Sequence, residues 1–594
     1  MAALREHRAI LVLRLRVLGT AQLVLLAGIL LAYWLVQVSE GAAYRELADH
    51  NRLRRAPLLA PRGLILDRRG RVLVENAPSY SLLLRRDATT DAAASLAFAA
   101  SRLARPAADL EAAFASQSSN PRFRPVLLAE ELSLADVAAF ELTRLEHPEF
   151  EVRVDPHRLY RLDSDLAHVL GYIGAARPED LAREPSATPD DLFGRGGVER
   201  SYDHSLRGHN GEQVLVVDSR GRPMEVARRI EPEPGDDLRL TIDLELQQEA
   251  ERAIGERRGA VVAMDPRNGA VLVMLSSPSF NPNLFSRRLD RSTWQDLVAD
   301  PGHPLQNRAI RSAYPPGSPF KVVMGAAAIA ERAMGLDERV YCGGQITLHG
   351  RRRRCWKQAG HGPMDLHAAI QNSCNVYFYV LGERLGIERI ARYARLFGFD
   401  RTSGIDLEGE RAGLVPDPAW KMAVRRTPWY AGETVSVSIG QGALLATPLQ
   451  MARMTGVIAS RGWLATPHLR LDTTIAPPVR TNLDVTSLDR IALAMEAVVA
   501  GGTGASARLP GVRVGGKTGT VQTVHQATWT DNEELPEEHR DHAWFVSFAP
   551  VEKPELVVAV FVEHGGKGSQ AAAPIARAIY ERYFANRSDR PGST

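Results

Sequence analysis

Tyr314-Pro315-Pro316-Gly317-Ser318-Pro319-Phe320-Lys321 is a chain break followed at once by an apolar run, Val322 to Ala330. Two prolines and a glycine stop any preceding element, and the run after them predicts a helix over about 318–334. Ser318 then sits near a helix N-terminus, where the peptide dipoles stabilise developing negative charge. Lys321, three residues on, shares its helical face and comes within reach of the Ser318 hydroxyl. Buried near other cations, such a lysine gives up its proton more readily and can act as a base. Taken alone, a capping serine beside a solvated lysine is the commoner reading of such a stretch.

Two further motifs follow in order, Ser373-Cys374-Asn375 and Lys517-Thr518-Gly519-Thr520. The first borders the aromatic-rich Val376–Val380, inside a helix expected over 365–385; the second follows the strand-like Val512–Gly516. Each has a bland counterpart, a capping serine or a Gly-rich turn. All three in this order and setting resemble the signature of serine β-lactamases and penicillin-binding proteins. The resemblance implies acyl transfer, with Ser318 as nucleophile and Lys321 as base. Ser373 would relay a proton between Lys321 and the leaving amine, and Asn375 would hold the substrate amide. Lys517 with Thr518 or Thr520 would bind a terminal carboxylate, and Gly519 would leave room for a peptide backbone. The backbone N–H groups of Ser318 and Thr520 would form the oxyanion hole.

Working outward, Gly259–Met264 and Ala270–Leu275 read as two buried strands of a hairpin around Pro266–Gly269. A helix precedes them, with Thr241 as its expected N-cap and Leu244, Ala250 and Ile254 on its apolar side. Strands are expected again at 511–516, 543–548 and 556–563. Helices between early and late strands predict an α+β domain with a mainly antiparallel sheet, over residues 236–586. Pro232-Glu233-Pro234-Gly235 marks its start. Residues 44–235 form a separate Arg- and Ala-rich domain of short strand-like runs. Within it lies a small subdomain at about 88–155, whose stretch from 88 to 117 is all-helical. Residues 587–594 read as a flexible tail. At 594 residues the chain exceeds one core, and its net charge of +3 is too balanced to suggest nucleic acid as a partner.

Val17–Ser39 carries no formal charge. At helical rise it spans roughly 34 Å, enough to cross a hydrocarbon core of about 30 Å. Tyr33 and Trp34 fall near one end, as an aromatic belt does. A cleaved signal peptide has an apolar region of only about 7 to 15 residues, so an uncleaved anchor behind a tail of residues 1–16 is expected. Arg5, Arg8, Arg14 and Arg16 before the segment are matched by Arg45, Arg52, Arg54 and Arg55 after it, so charge does not orient it.

The resemblance reaches well beyond the three motifs. Pro61-Arg62-Gly63 with Asp67-Arg68, Gly196–Asp203 with Leu206-Arg207-Gly208, and Thr241-Ile242-Asp243 all contribute to it. So do Asp265-Pro266, Ser277-Pro278-Ser279-Phe280, Asn281-Pro282-Asn283 and Tyr314–Lys321. Cys355-Trp356, Gly360-His361-Gly362, Ile439–Gly442, Thr447-Pro448 and His542–Pro550 complete it. On these stretches the chain resembles the class B penicillin-binding proteins, most of all the penicillin-binding protein 2 branch that serves cell elongation. That implies a cytoplasmic tail (1–16), one inner-membrane helix (17–39), a pedestal of the dimerisation type (44–235) and a periplasmic transpeptidase domain (236–586). It also implies peptidoglycan stem peptides as substrates and β-lactams as acylating ligands. A RodA-type membrane glycosyltransferase and other elongation proteins are the partners implied. Pro319 departs from the family, which more often has Thr there; the change should touch the turn after Ser318 and not the chemistry.

All three cysteines, Cys342, Cys355 and Cys374, lie within a short span that also holds His361. Three thiols and an imidazole match a closed structural zinc site in ligand type, though not a standard finger in spacing. Some members resembling this branch carry zinc near the second motif, with its middle Cys as a ligand. An oxidising compartment would instead favour a Cys342–Cys355 disulfide with Cys374 free. The acyl-transfer chemistry itself needs no cofactor.

The leading expectation is therefore a serine D,D-transpeptidase that cross-links stem peptides, with carboxypeptidase activity when water resolves the acyl-enzyme. The alternative from another class is a non-catalytic protein, a β-lactam sensor or a scaffold that activates a partner glycosyltransferase. A sensor should carry an output domain or several membrane helices, and a scaffold would tolerate loss of Ser318, Lys321 or Lys517.

Overall fold

The computed structural model describes residues 2–41, 53–118, 125–184, 187, 191–217, 223–286, 289, 291–473, 475–523 and 535–588. Residues 44–52, where the pedestal was expected to start, lie outside these, as does the tail beyond Ser588. The chain divides into two compact units, residues 1–61, 78–156 and 208–235, and residues 62–77, 157–207 and 236–594. Residues 62–77 and 157–207 thus group with the second unit, although they precede the Pro232–Gly235 breaker.

In the first unit, Ala2–Trp34 is one α-helix that continues as a π-helical turn over Leu35–Ser39. Ile10–Ser39 is long and apolar enough to cross a membrane, and its large apolar side chains are exposed. Leu53–Leu58, Gly211–Val217 and Pro223–Ile230 form a three-stranded antiparallel sheet. The helices Ala92–Leu103, Ala107–Ser116 and Leu134–Leu142 surround a small core of Leu82, Leu84, Leu96, Leu110, Phe140 and Phe150. Asp91 caps the first through the amides of Ala93 and Ala94, and Ser133 with Asp136 makes a capping box on the third. Leu82–Leu84 pairs antiparallel with Val126–Ala129, so this subdomain contains strands as well as helices.

The second unit is α+β. Its sheet contains β1 (Gly259–Met264), β2 (Val271–Ser277), β3 (Gly515–Val521), β4 (His542–Ala549) and β5 (Leu556–Val562), in the order β2-β1-β5-β4-β3. Every pairing is antiparallel. The strands are continuous apolar runs because both faces are covered. Val261, Ala263, Val558 and Val560 pack with Ile254, Ile575 and Ile579, from the helices Leu244–Ile254 and Ala573–Ser588. The alternate residues Val262, Met264, Val557 and Ala559 join the larger core on the other face. Among the helices in that core are α1 (Lys321–Ala330), α2 (Leu366–Gln371), α3 (Asn375–Leu396), α4 (Pro448–Ala459) and α5 (Val485–Gly501).

Five expectations change. Thr241 is no cap: Asp243 holds the N-cap position, and the buried Thr241 hydroxyl donates to the carbonyls of Val271 and His468. The helix expected at 318–334 begins as a 3₁₀ turn, Ser318–Phe320, and its α-helical part ends at Ala330. The helix expected at 365–385 is two helices, parted at Ser373, whose φ of 54° is left-handed. The strand expected at 511–516 runs from Gly515 to Val521, because pairing with β4 extends through the whole Lys517–Thr520 motif. At the C-terminus, the last helix continues to Ser588, into the expected tail.

Candidate active site

The turn before Ser318 is held from several sides. Gly317, at φ 61°, donates its N–H to the Gly440 carbonyl at 2.8 Å, and a Cβ on it would stand 2.6 Å from Val521. Trp544 Nε1 donates to the Pro315 carbonyl at 3.1 Å. The Tyr314 hydroxyl donates to Glu563 at 2.7 Å, and Arg308 Nε donates to the same oxygen at 2.9 Å. Burial alone would raise the Glu563 carboxyl, but Tyr314 and Arg308 outweigh it and hold it below the ordinary glutamate range. Ser318 therefore starts its 3₁₀ turn on a backbone tied to β4 and to the end of β5.

Lys321 is fully buried. Its ammonium donates to the Ser373 carbonyl at 2.8 Å, to Asn375 Oδ1 at 2.7 Å and to Ser373 Oγ at 3.3 Å. Ser373 Oγ in turn donates to Ser318 Oγ at 3.0 Å. Among the described residues no direct hydrogen bond joins Lys321 to Ser318, and the link between them runs through Ser373. The left-handed residue between α2 and α3 is what turns the Ser373 hydroxyl onto both groups. Burial pulls Lys321 from 10.5 down to about 8, against the raising effect of Cys355 and Cys374.

Lys517 is also fully buried, with its ammonium on the Thr518 carbonyl at 3.1 Å. Burial, and then the charge of Lys321, push its pKa well below the ordinary lysine value. Lys517 makes no hydrogen bond to Ser318 or Ser373; its link to the cluster is electrostatic. The Thr518 and Thr503 hydroxyls share a hydrogen bond of 2.7 Å. Gly519 lies against Pro319, and a Cβ there would come within 2.6 Å of Pro319 Cδ and 2.9 Å of Trp544 Cβ. Thr520 is the half-buried member of β3, which is an edge strand of the sheet. Sequence reading assigned no role to Thr503, Gly440 or Glu563. Only the glycines around the first two are visible as a signal, and nothing local marks Glu563.

Behind the second motif, Cys342, Cys355, Cys374 and His361 place their ligand atoms within 4.8 Å of one another. All three cysteines are buried and free, so no disulfide joins Cys342 to Cys355. His361 Nδ1 stands 3.6 Å from Cys342 Sγ and 3.5 Å from Cys355 Sγ. Hydrogen bonding between Cys374 and Cys355 holds the Cys355 thiol well below its ordinary value and pushes Cys374 up. Cys355 Sγ also accepts the Asn375 amide N–H at 3.4 Å, so the cluster touches the first residue of α3.

Known proteins share this organisation. The penicillin binding protein transpeptidase domain matches residues 259–581, and the penicillin-binding protein dimerisation domain matches residues 57–240. The peptidoglycan D,D-transpeptidase MrdA of Acinetobacter baumannii is 33% identical, over 97% of this chain and 88% of that protein. Penicillin-binding protein 2 of Helicobacter pylori, solved in complex with MreC, superposes with a TM-score of 0.80 at 28% identity, over 90% of this chain and 99% of that one. A chain from a peptidoglycan synthase complex, solved to explain the coordination of polymerization and crosslinking, reaches 0.70 at 31% identity, over 98% and 100%. With its serine, lysines and edge strand arranged as above, the chain belongs to the class B penicillin-binding proteins, in the branch of penicillin-binding protein 2 and the MrdA transpeptidases.

Proposed function

We infer that the chain is a peptidoglycan D,D-transpeptidase of cell elongation that works through an acyl-enzyme on Ser318. The observation that carries this reading is the hydrogen-bonded path Lys321–Ser373–Ser318 around a lysine whose pKa is about 8. With Lys321 neutral, the path runs in the productive sense. Ser318 O–H gives its proton to Ser373 Oγ as Ser373 O–H gives its own to Lys321 Nζ, and Ser318 Oγ attacks the penultimate D-Ala carbonyl of a donor stem peptide. The oxyanion develops between the Ser318 and Thr520 N–H groups. The proton returns along the same path to the leaving D-Ala amine. An amine of a neighbouring stem peptide then resolves the ester, or water does so in the carboxypeptidase reaction. Asn375 orients the donor amide. Lys517, Thr518 and Thr520 take its terminal carboxylate, with the peptide laid along edge strand β3 beside Gly519. A β-lactam acylates the same serine.

Residues 17–39 then anchor the chain in the inner membrane, with 1–16 cytoplasmic, and 44–235 serve as a pedestal for a periplasmic catalytic domain over 236–586. The relatives solved with MreC and within a peptidoglycan synthase complex support elongation partners here; a RodA-type glycosyltransferase is the polymerase we expect among them. The Cys342, Cys355, His361 and Cys374 set is read as a structural zinc site. Zinc with Zn–S of about 2.3 Å and Zn–N of about 2.0 Å needs an S···N edge of roughly 3.5 Å, which the His361 separations match. The metal would pin the loop ahead of Ser373 and take no part in proton transfer. Covalent labelling by a fluorescent penicillin tests the reading: the wild type is labelled and Ser318→Ala is not. A folded wild type that stays unlabelled in the presence of its membrane partner would leave the scaffold alternative standing.

A further inference from the structure

Residues 339–364 contain Arg339, Arg351, Arg352, Arg353, Arg354 and Lys357 and no Asp or Glu. Most of that charge sits on one hairpin, Gln345–Leu348 paired with Arg351–Arg354, whose turn residues His349 and Gly350 both have positive φ. A run of arginines is usually a solvated face. Here three contacts fix the run instead. At the tip, His349 Nε2 meets Glu383 at 2.7 Å. At the side, Arg353 donates to the Gly432 carbonyl at 3.0 Å. At the base, the Cys355 N–H donates to the Gly344 carbonyl at 2.8 Å, where the chain enters and leaves the Cys/His cluster.

The hairpin also reaches the reacting groups. The Arg354 carbonyl accepts from Asn375 Nδ2 at 3.4 Å and from the Tyr379 hydroxyl at 3.1 Å, and Asn375 is the residue that holds Lys321. From that point the strand leads away at about 3.3 Å per residue, so Arg352 and Arg351 stand two and three residues from the Asn375 contact. Among the described residues Arg351–Arg354 pairs only with Gln345–Leu348, so its other edge is open to an extended peptide of the same rise, with Arg351 and Arg352 projecting to opposite faces along it. Arg351 and Arg352 are exposed and, among the described residues, have no carboxylate partner. Glu383, at the hairpin tip, is engaged by His349, and Glu433, next to the Gly432 that Arg353 touches, is engaged by Lys421 at 2.6 Å.

We propose that the Gln345–Arg354 hairpin is a carboxylate-recognising subsite, in which Arg351 and Arg352 select a stem peptide bearing free carboxylates upstream of its D-Ala–D-Ala end. This deepens the transpeptidase reading and rests on it. It makes the arginines specificity residues and not catalytic ones, and a penicillin, which lacks the upstream peptide, bypasses them.

The test uses the full-length protein in detergent. On a Ser318→Ala background, fluorescence anisotropy compares a labelled stem pentapeptide with free side-chain carboxylates against the same peptide amidated there. The free acid should bind roughly three- to tenfold more tightly, as expected for two exposed charge pairs, and lose that advantage in high salt. Adding Arg351→Gln/Arg352→Gln should erase the preference, while the same pair of changes on intact Ser318 leaves penicillin acylation within about twofold. Equal binding of both peptides, or a preference that survives the double substitution, overturns the proposal. So does parallel loss of penicillin acylation, which would make the hairpin a brace for Ser373 and Asn375. A preference for anionic vesicles over the acidic peptide, lost in the same variant, overturns it too. Penicillin labelling of the wild type reads the acyl-enzyme separately, so failure of that reading and failure of the subsite give different results.

Discussion

Lys321 should set the pH profile of acylation. Its ammonium is fully buried and satisfied by Ser373 and Asn375, and burial lowers it from 10.5 to about 8. The base is the deprotonated form, so the rate must rise with pH and level off once the lysine is neutral. With a pKa of about 8, roughly one molecule in eleven is competent at pH 7 and about ten in eleven at pH 9, a rise of about tenfold that then ends. A lysine at its ordinary value would rise about a hundredfold over the same interval and still be climbing. The assay is the second-order rate of labelling by a fluorescent penicillin from about pH 6 to about pH 10, with far-UV circular dichroism at each pH to show that the fold persists. Lys321→Arg keeps a charge but cannot act as base, so it should abolish the rise along with most of the rate. A profile flat below pH 8, or one still rising tenfold per unit above pH 9, would refute the assignment of Lys321 as the buried base.

Three other perturbations have defined outcomes. Cys374→Ala should lower thermal stability and acylation together, and chelation of the wild type should reproduce both losses; unchanged melting and labelling after chelation, with no zinc by elemental analysis, would end the metal reading. Glu199 is completely buried between Arg62 Nη2 at 2.8 Å and Arg158 Nε at 2.7 Å, so Glu199→Gln should cost about 3–5 kcal/mol in denaturant unfolding. A loss below about 1 kcal/mol, the size expected of an exposed pair, would mean that this network is not a desolvated one. Gly519→Ala places a methyl 2.6 Å from Pro319 and should reduce penicillin labelling roughly five- to 150-fold with the fold retained, the overpacking cost of roughly 1–3 kcal/mol falling on the turn that carries Ser318. Full labelling of that variant would show that the Pro319–Gly519 approach is not needed.

The two depressed lysines share one physical cause. Lys321 and Lys517 are both sealed from water, so each favours its neutral form, and the charge of Lys321 lowers Lys517 further. The thiols behind Asn375 act in the other direction on Lys321. Cys374→Ala would by this electrostatic route alone ease deprotonation of Lys321, so the loss of acylation expected of that variant comes from the loop ahead of Ser373 losing its anchor and not from the base.

The break at Pro315–Gly317, the apolar segment at 17–39, the buried strands 259–264 and 556–562 and the α+β class were legible along the chain. Each depends on residues a few positions apart, where periodicity and turn chemistry act directly. The three motifs and the cysteine span were equally visible as local patterns. The path from Lys321 to Ser318 was not, because it runs through Ser373, more than fifty residues away, and depends on a left-handed residue between two helices that their composition reads as one. Strand β3 was placed several residues too early for the same reason: its true extent is set by pairing with β4 and not by its own hydrophobicity. The Glu199 network and the tie from Tyr314 to Glu563 likewise join positions whose local sequence carries no sign of their partners. Sequence by itself determined which chemical groups this protein possesses and which local elements carry them. Only the tertiary structure decided which groups lie within hydrogen-bonding distance and which are sealed from water, since contact and desolvation are properties of the packed chain.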